Sequence, residues 1–381
     1  MAGSITRRGP SSWRLKFEAG TRDPASGKRQ TRYVTVRGTK RDAQRKLHAL
    51  LTAVDNGTAV DPSRVTVAEH LRDWLSQASH LANKTRERYR GLIDQQIIPH
   101  LGRVAVQRLR PAHIADWHAT LLRSGGKDGC PLSARTVGHA HRVLHTALAR
   151  AVQLEIVARN VASMVHPPKV DVAEVVILTS SQIGNVLAKL ADHRMLPIVA
   201  VAVGAGLRRG EICALRWGDV DLDTGLLRVE CAMEQTGAGL QVKEPKTRHG
   251  RRRITLPGFV VDALKIHRRE QLEQRLVLGL GRPGVADLVF TLPNGSPWGP
   301  DYLSRCWHRA TSVLGLPQVG LHALRHSHAS ALIAAGIDPL TISRRLGHGS
   351  PAFTLTTYGH LFANTDAAAA RAIDGAIGSK R

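Results

Sequence analysis

Acidic residues, cysteines and long apolar runs are scarce in this chain of 381 residues. Asp and Glu total 30 against 54 Lys and Arg, which gives a net charge of +24 and an isoelectric point near 11.1. Four cysteines without a Cys-x-x-Cys pair indicate reduced thiols rather than a disulfide scaffold. The longest uncharged apolar stretch, 195–207, has 13 residues, fewer than the roughly 20 that span a membrane. No apolar run follows Arg7 and Arg8 to form a secretory signal, so we expect a cytoplasmic protein without a membrane segment.

The excess of positive charge favours a polyanionic partner. The length, with 43% apolar residues, predicts two or three domains. Residues 1–58 contain 13 Lys or Arg and only 4 Asp or Glu, so this segment is the most basic. Nucleic acid is therefore the leading candidate partner.

Segment 1–58 predicts a small α+β domain. Trp13–Glu18 and Thr31–Arg37 alternate apolar and polar residues on either side of a turn-rich stretch, which indicates two strands. Thr39 is positioned to cap a helix that runs to about Val54. A solvated basic face is one interpretation, and we favour a strand-based reader of DNA. Its candidate contact residues are Arg14, Lys16 and Arg32.

Between residues 65 and 165 the apolar period becomes helical, which predicts an all-α domain. Thr85 is a candidate N-cap of the second helix, within a run of positive charge. This run is either an ordinary solvated face or a phosphate-binding surface, with Lys84, Arg86 and Arg90 as the donors. The predicted helices are Val67–Ala78, Thr85–Ile98, Pro111–Ser124 and Ser133–Leu154.

The two prolines of His166-Pro167-Pro168-Lys169 predict a linker, after which a third domain spans 174–381. Thr179 and Gln182 have the spacing of a capping box at the start of a helix. The domain is mainly helical with some strand, so we class it as α+β. The predicted strands are Leu226–Glu230, Leu240–Lys243 and Arg252–Pro257, and the last two flank a basic turn. Ala367–Ala370 predicts a tail helix.

Three groups in this third domain have residue types suited to phosphate chemistry. Arg208 stands three positions before Glu211, and His322 and Arg325 share one helix face by their i, i+3 spacing. Tyr358 follows ten residues after His348 and is one of four tyrosines in the chain. Taken singly, each has an ordinary explanation: a helix-end ion pair, a core histidine or a structural tyrosine.

A metal site is a further alternative, because His322 and His326 are four residues apart. The zinc-protease pattern on a helix requires Glu directly after the first His, and this chain has Ala323. We therefore expect no metal.

Together the groups resemble the tyrosine recombinases, the family of phage-type integrases and chromosome-dimer resolvases. The family has an Arg in Gly-Leu-Arg-x-x-Glu, a hairpin Lys, a His-x-x-Arg pair, a Leu-Gly-His and then a Tyr. Ala205 departs from the Thr that the family commonly has before Gly-Leu-Arg. The matching residues, in chain order, are Arg208, Lys246, His322, Arg325, His348 and Tyr358. Lys246 lies in Glu244-Pro245-Lys246-Thr247-Arg248, where Arg248 and Arg251 are alternative matches.

The resemblance implies a multidomain fold and a reaction. The fold would comprise an arm-type DNA-binding domain (1–58, a three-stranded sheet plus a helix), a helical core-type DNA-binding domain (65–165) and a catalytic domain (174–381). Tyr358 would attack a DNA phosphodiester to leave a 3′-phosphotyrosyl link, with the phosphate held by Arg208, Arg325 and His348. Lys246 would protonate the leaving oxygen and His322 would assist the proton transfers. Glu211 would orient Arg208, and no cofactor would be required.

The resemblance also implies partners. Strand exchange between two duplexes needs four active sites, hence a homotetramer on double-stranded DNA at attachment sites, with accessory DNA-bending and directionality proteins. The tail helix would pack on a neighbouring protomer or on its own domain. The alternatives are a type IB topoisomerase-like enzyme, a DNA-binding regulator without catalysis and a metal-dependent nuclease.

Overall fold

In the computed structural model the described residues are 3–22, 29–55, 60–171, 176–245, 248–359 and 366–377. The chain divides into two compact units, Met1–Asp171 and Val172–Arg381. Each unit has its own hydrophobic core. Within the described ranges, the helices are all too short or too polar to cross a membrane.

The first unit begins with an antiparallel three-stranded sheet of order β1-β2-β3 (Gly3–Gly9, Ser12–Arg22 and Arg29–Arg37), followed by helix α1 (Lys40–Asp55). The two strands predicted from the sequence are confirmed as β2 and β3. β1 has a single aliphatic residue, Ile5, so its alternation is too weak to identify it. Thr39 caps α1 as expected, since its hydroxyl accepts a hydrogen bond from the Asp42 backbone amide.

The register of the sheet sorts its side chains onto two faces. Leu15 and Phe17 are buried against α1, so the alternate residues Arg14 and Lys16 lie on the opposite, open face. Tyr33 pairs with Lys16 across the strands and stacks under the Arg14 guanidinium, 4.2 Å from the ring centroid. Arg32 pairs with Phe17 and therefore lies on the helix side.

The rest of the first unit is a helical bundle. Its elements are α2 (Val67–Gln77), α3 (Asn83–Leu92), a π-helical turn (Ile93–Ile97), α4 (Ile98–Leu101), α5 (Pro111–Ser124) and α6 (Ala134–Gln153). The predicted second helix is thus interrupted by the π turn. The expected cap at Thr85 is wrong: α3 begins at Asn83, and Ala82 at the N-cap makes no side-chain hydrogen bond. Apolar positions at helical spacing, among them Ile114 and Leu144, form the core.

The second unit is mainly helical. Its helices are α7 (Ser180–Lys189), α8 (Leu196–Gly204), α9 (Arg209–Cys213), α10 (Gly258–Val277), α11 (Pro300–Val313), α12 (Leu321–Ala334), α13 (Pro339–Leu346), α14 (Pro351–Tyr358) and α15 (Asp366–Ile377). The capping box of Thr179 and Gln182 at the start of α7 is confirmed. The apolar stretch 195–207 contains α8, whose side chains from Pro197 to Gly204 are buried on every face.

Two small sheets complete the second unit. β4 (Val220–Asp221), β5 (Leu226–Val229) and β8 (Arg252–Thr255) form one, and β6 (Ala232–Thr236) and β7 (Gly239–Lys243) form a hairpin. The two predicted strands that flank the basic turn therefore belong to different sheets. β7 pairs instead with β6, which the sequence pattern missed because Glu234, Gln235 and Thr236 make it largely polar.

His118 and His141 form a buried hydrogen-bonded pair between α5 and α6. Nδ1 of His141 lies 3.1 Å from Nε2 of His118, and both side chains are nearly inaccessible. Burial, followed by the charges of His118, His145 and Arg142, lowers the pKa of His141 to about 4. Burial also lowers the pKa of His118. The pair is therefore neutral near pH 7.

We expect the helical bundle to lose stability as the pH falls from 6.5 to about 4. The pKa of His141 in the folded chain is below its usual 6.5, so the unfolded chain binds more protons in this window. The neutral His141 ring contributes its full share of the folding stability above pH 6.5. Between pH 6.5 and about 4 the bundle loses at most about 3 kcal/mol of this stability. His141→Gln should flatten the pH dependence, measured on the full chain by hydrogen exchange of α6 peptides.

A His100→Gln variant removes an exposed imidazole from the same bundle and serves as the control. The prediction fails if His141→Gln keeps the wild-type dependence of exchange on pH.

Candidate active site

Arg325 on α12 holds two loops together. It is buried, and its guanidinium donates hydrogen bonds to the carbonyl oxygens of Gly206 and Leu346, both at 2.6 Å. Burial, followed by the charge of Arg208, lowers the pKa of Arg325 to about 9, so it stays positively charged at neutral pH. The loop after α8 and the loop after α13 are thereby fixed to one cationic side chain.

Arg208 lies beside this arrangement at the N-cap of α9. Its guanidinium donates to the carbonyl oxygen of Gly347 at 2.9 Å and to a carboxylate oxygen of Glu211 at 2.8 Å. Leu346 and Gly347 are consecutive, so the two arginines donate hydrogen bonds to successive backbone carbonyl oxygens. The Arg208 side chain is 40% exposed, and it therefore presents its charge to solvent where Arg325 does not.

Glu211 is the buried counter-charge of this cluster. Its carboxylate accepts from Arg208 and, through both oxygens, from the buried Arg252 at 3.1 and 2.8 Å. Burial raises the pKa of Glu211, but the hydrogen bonds and charges of Arg252 and Arg208 outweigh it and the net pKa is lowered. Removing one partner of such a buried pair leaves an uncompensated charge, typically at a cost of about 3–5 kcal/mol.

Sequence reasoning missed Arg252. It stands between Arg251 and Arg253 in a basic stretch, and only the strand period distinguishes it. In β8, Arg252 and the buried Ile254 share one face, while Arg253 is exposed on the other. The two-residue alternation was therefore a usable signal that Arg252 points inward.

A second missed arginine, Arg345 on α13, connects the same scaffold. It donates to Nε2 of His328 at 3.1 Å and to the carbonyl oxygens of Gly204 and Thr255 at 3.0 Å. Nδ1–H of His328 in turn donates to the carbonyl oxygen of Val203 at 2.6 Å. The end of α8, from which Arg208 follows, is thus attached to α12, α13 and β8.

Tyr358 ends α14 and is buried in a small apolar cluster with Ile333, Ile342 and Leu346. Its hydroxyl is hydrogen-bonded to Nδ1 of His326, 2.5 Å away. Burial raises the pKa of the phenol to about 12, and the charge of Arg325 partly opposes this rise. The charge of Arg325 therefore acts on the phenol of Tyr358 within the same chain.

His322 and His326 are neighbours on α12. Their rings meet edge to face with centroids 4.6 Å apart. His322 is exposed on one side, and partial burial, followed by the charges of His326 and Arg325, lowers its pKa to about 4. Burial and the charge of Arg325 also lower the pKa of His326. Sequence reasoning considered His326 only as a metal ligand and did not assign it a contact with Tyr358.

His348 is buried directly after the αL turn at Gly347. Its Nδ1 lies 2.8 Å from the hydroxyl of Thr354, and its backbone amide donates to the Ser343 carbonyl oxygen at 3.0 Å. Burial, followed by the charges of Arg325 and Arg208, lowers the pKa of His348 to about 3, so the ring is neutral. The turn before His348 requires glycine, because Gly347 has a φ of +66° and a Cβ there would lie only 2.8 Å from the His249 carbonyl oxygen.

Lys246, the expected hairpin lysine, lies outside the described residues. Of its neighbours, Lys243 on β7 is ion-paired with Glu234 on β6. Arg251 is ion-paired with Glu230 at 3.6 Å and with Glu244 at 2.6 Å. Among the described side chains, His, Cys, Asp and Glu form no cluster of three that would hold a metal ion.

The basic residues of α3 divide into two sets. Lys84 and Arg90 are exposed, whereas the guanidinium of Arg86 donates to the Ala78 carbonyl oxygen at 3.1 Å. Burial, followed by the charges of Arg142, Arg88 and Arg135, lowers the pKa of His139 on α6. α3 and α6 therefore share a cationic surface. The sequence pattern predicted only its α3 part.

Two family profiles match the chain. The profile of the Phage integrase family matches residues 177–365, and that of the phage integrase N-terminal SAM-like domain matches residues 66–122. An integrase of Streptomyces ambofaciens is 29% identical over 348 residues, which cover 88% of this chain and 86% of the relative. The integrase of Mycobacterium phage L5 is 27% identical over 78% of this chain and 76% of the relative.

Solved structures share the fold. The Tn1549 transposon integrase, in complex with transposon right-end DNA, has a TM-score of 0.67 and 23% identity, covering 82% of this chain and 99% of that chain. A lambda integrase dimer bound to a core site has a TM-score of 0.57 and 18% identity, covering 95% of each chain. From the profiles, the relatives and this fold, the chain belongs to the phage integrase family of tyrosine recombinases, enzymes that cleave and rejoin DNA strands.

Proposed function

We propose that this site-specific recombinase cuts DNA with Tyr358 as the nucleophile. The observation that carries the proposal is the place of the Tyr358 phenol in its own chain, where its hydroxyl is hydrogen-bonded to His326, the residue after Arg325, and the charge of Arg325 acts on it. Arg325 and Arg208 in turn donate to the successive carbonyl oxygens of Leu346 and Gly347. Attack of the phenol oxygen on phosphorus breaks the bond to the 5′ oxygen and leaves a 3′-phosphotyrosyl link. Reversal by the 5′-hydroxyl of another strand exchanges the strands, as integration and excision of a mobile element require.

The two arginines suit the reacting phosphate. Negative charge builds on the non-bridging oxygens during attack, and guanidinium groups bind such oxygens with paired donors in fixed directions. Arg325 is held rigidly by two carbonyls, while Arg208 is partly exposed toward the incoming DNA. Glu211 keeps Arg208 oriented without itself contacting the phosphate.

The remaining groups handle hydrogen bonds and protons. Neutral His348 and His322 border the cationic cluster, where His348 would donate to a non-bridging oxygen and His322 would assist the proton transfers. Lys246 would protonate the 5′ oxygen as it leaves. No step in this scheme consumes ATP or water.

DNA contacts outside the active site would come from the N-terminal segments. We assign residues 1–58 to arm-type sites, through Arg14 and Lys16 on the open face of the sheet, and 65–165 to core-type sites, through Lys84, Arg90 and the basic face of α6. The catalytic domain would span 174–381. Arg32 and Arg86 both make contacts within the protein, which supports giving them no DNA contact.

Strand exchange would take place in a homotetramer on DNA. A lambda integrase tetramer bound to a Holliday junction has a TM-score of 0.57 with this chain, at 18% identity. Helix α15 is exposed at its described side chains, which suits docking on a neighbouring protomer. Accessory DNA-bending and directionality proteins would select between integration and excision.

Tyr358→Phe should abolish a covalent protein–DNA adduct that the wild-type chain forms on a nicked suicide substrate. The nick lets a short strand leave after cleavage, so the phosphotyrosyl link persists. The adduct is measured as a shifted band on a denaturing gel, in excess chelator to exclude a metal-dependent nuclease. The DNA that flanks the gene supplies candidate sites.

A wild-type chain that forms no adduct on its attachment site would refute Tyr358 as the nucleophile. Footprinting without cleavage would indicate a regulator. Relaxation of any supercoiled plasmid would indicate a topoisomerase-like enzyme.

Lys246→Ala should slow adduct formation about 100-fold or more, because the 5′ oxygen would leave without a proton. A substrate with sulfur at the bridging 5′ position should restore the rate, since a thiol, with a pKa of about 8.5, leaves as its anion. Lys243→Ala, which removes a lysine ion-paired with Glu234, is the matched control. A defect and sulfur rescue in the Lys243 variant instead would transfer the acid role to Lys243.

Lys16→Ala should weaken binding to the flanking arm sites and reduce its salt dependence. Each lost phosphate contact reduces the magnitude of the slope of log K against log salt by about 0.9. The binding constant K is measured by fluorescence anisotropy of labelled DNA. Arg32→Ala is the control, because Arg32 lies on the helix side and pairs with Asp61 at 2.5 Å. If Arg32→Ala lowers the slope and Lys16→Ala does not, the open face is not the DNA-binding face.

A further inference from the structure

His326 makes the most direct contact with the proposed nucleophile. Its Nδ1 lies 2.5 Å from the Tyr358 hydroxyl, and the ring centroids are 5.6 Å apart. Within the described part of the chain, this nitrogen is the hydroxyl's only hydrogen-bond partner. The neighbouring His322 ring contacts His326 rather than Tyr358.

The protonation states assign the direction of this hydrogen bond. Burial keeps the proton on the Tyr358 phenol, whose pKa is about 12. Burial and the charge of Arg325 lower the pKa of His326, so its ring is neutral at pH 7. A buried phenolic O–H requires an acceptor, and Nδ1 of His326 is the acceptor within reach. The hydroxyl therefore donates to Nδ1, and the proton of the neutral ring is on Nε2.

We propose that His326 is a catalytic residue, the general base that receives the proton of Tyr358 during attack on the phosphate. The proposal rests on Tyr358 being the nucleophile, as assigned above. It transfers to His326 the step that the sequence resemblance leaves with His322.

The proton balance of the step is complete. As the bond between the phenol oxygen and phosphorus forms, the phenol proton passes to Nδ1, and the bond to the 5′ oxygen breaks with a proton from Lys246. His326 is then a cation, beside a phosphotyrosyl ester. In the reverse step the imidazolium returns its proton to the departing phenol oxygen, so one side chain serves both cleavage and rejoining.

The surroundings of His326 favour this role over simple ionisation of the phenol. Arg325 and His322 on α12, Tyr358 on α14 and His348 after α13 are the charged or titratable groups that act on it among the described residues. Arg325 opposes a resident positive charge on the imidazole. The base is therefore unprotonated at rest, and the negative phosphate of bound DNA would stabilise the imidazolium only when it forms.

The test compares His326→Asn with His326→Gln in the full-length protein. The asparagine carboxamide oxygen approximates the position of Nδ1, so it keeps a hydrogen-bond acceptor for Tyr358 but does not take a proton. The substrate is a suicide duplex with sulfur at the bridging 5′ position, which removes the need for Lys246. Single-turnover adduct formation is measured from pH 6 to 9.

Both variants should be slower than wild type by about 100-fold or more at pH 7, the usual contribution of a general base. The wild-type rate should rise up to the pKa of His326, which lies below 6.5, and then level off. The variant rates should keep rising about tenfold per pH unit toward the phenol pKa of about 12, because the phenol must then ionise to solvent. His308→Asn, an exposed histidine on α11, should keep the wild-type profile.

Three results would overturn the assignment. A wild-type rate in His326→Asn with a loss in His326→Gln would show that His326 only positions the phenol. An equal loss at every pH in both variants, with wild-type thermal unfolding, would do the same. If the adduct-formation rate keeps rising with pH in His322→Asn and not in His326→Asn, His322 is the base. Adduct formation by Tyr358→Phe in the same assay would instead refute the nucleophile, which separates the two proposals.

Discussion

The second unit depends on two arginines bound to successive backbone carbonyls. Arg325 donates to Leu346 and Arg208 to Gly347, while the same Arg325 also donates to Gly206, two residues before Arg208. Two like charges beside each other repel, and carbonyl dipoles offset only part of that repulsion. The carboxylate of Glu211, held by Arg208 and Arg252, supplies the compensating negative charge. The site therefore keeps a positive field with its geometry fixed before any phosphate arrives.

The apolar scaffold explains how this arrangement remains rigid. α8 is buried on all sides and packs against α10 and α12, so the loop that leaves its C-terminus has a fixed origin. Gly206 in that loop has a φ of +64°, and a Cβ there would meet the His328 ring at 2.7 Å. Arg345 attaches the end of α8 to β8 and to His328. The backbones of the loops that carry Arg208 and His348 are thus held by buried hydrogen bonds.

The same positive field sets the protonation states around the phenol. Burial and neighbouring arginines keep His322, His326 and His348 neutral, so these rings are able to accept protons or donate one from a defined nitrogen. Tyr358 remains a protonated phenol because burial disfavours its anion more than Arg325 favours it. In the proposed roles, a phenol in contact with its base would be stable at rest, since its anion would form only as the phosphorus–oxygen bond develops.

The sequence by itself determined most helices of the first unit, the start of α7, most strands and five described residues of the proposed site, because local periodicity, capping residues and motif spacing do not depend on distant contacts. Lys246 stays a prediction. Tertiary structure alone decided that Arg252 is the buried partner of Glu211 and that β7 pairs with β6. It also decided that His326 and not His322 contacts Tyr358. Each of these contacts joins segments that are distant in the sequence. The spacing of residues along one helix or strand does not show which other segment will pack against it.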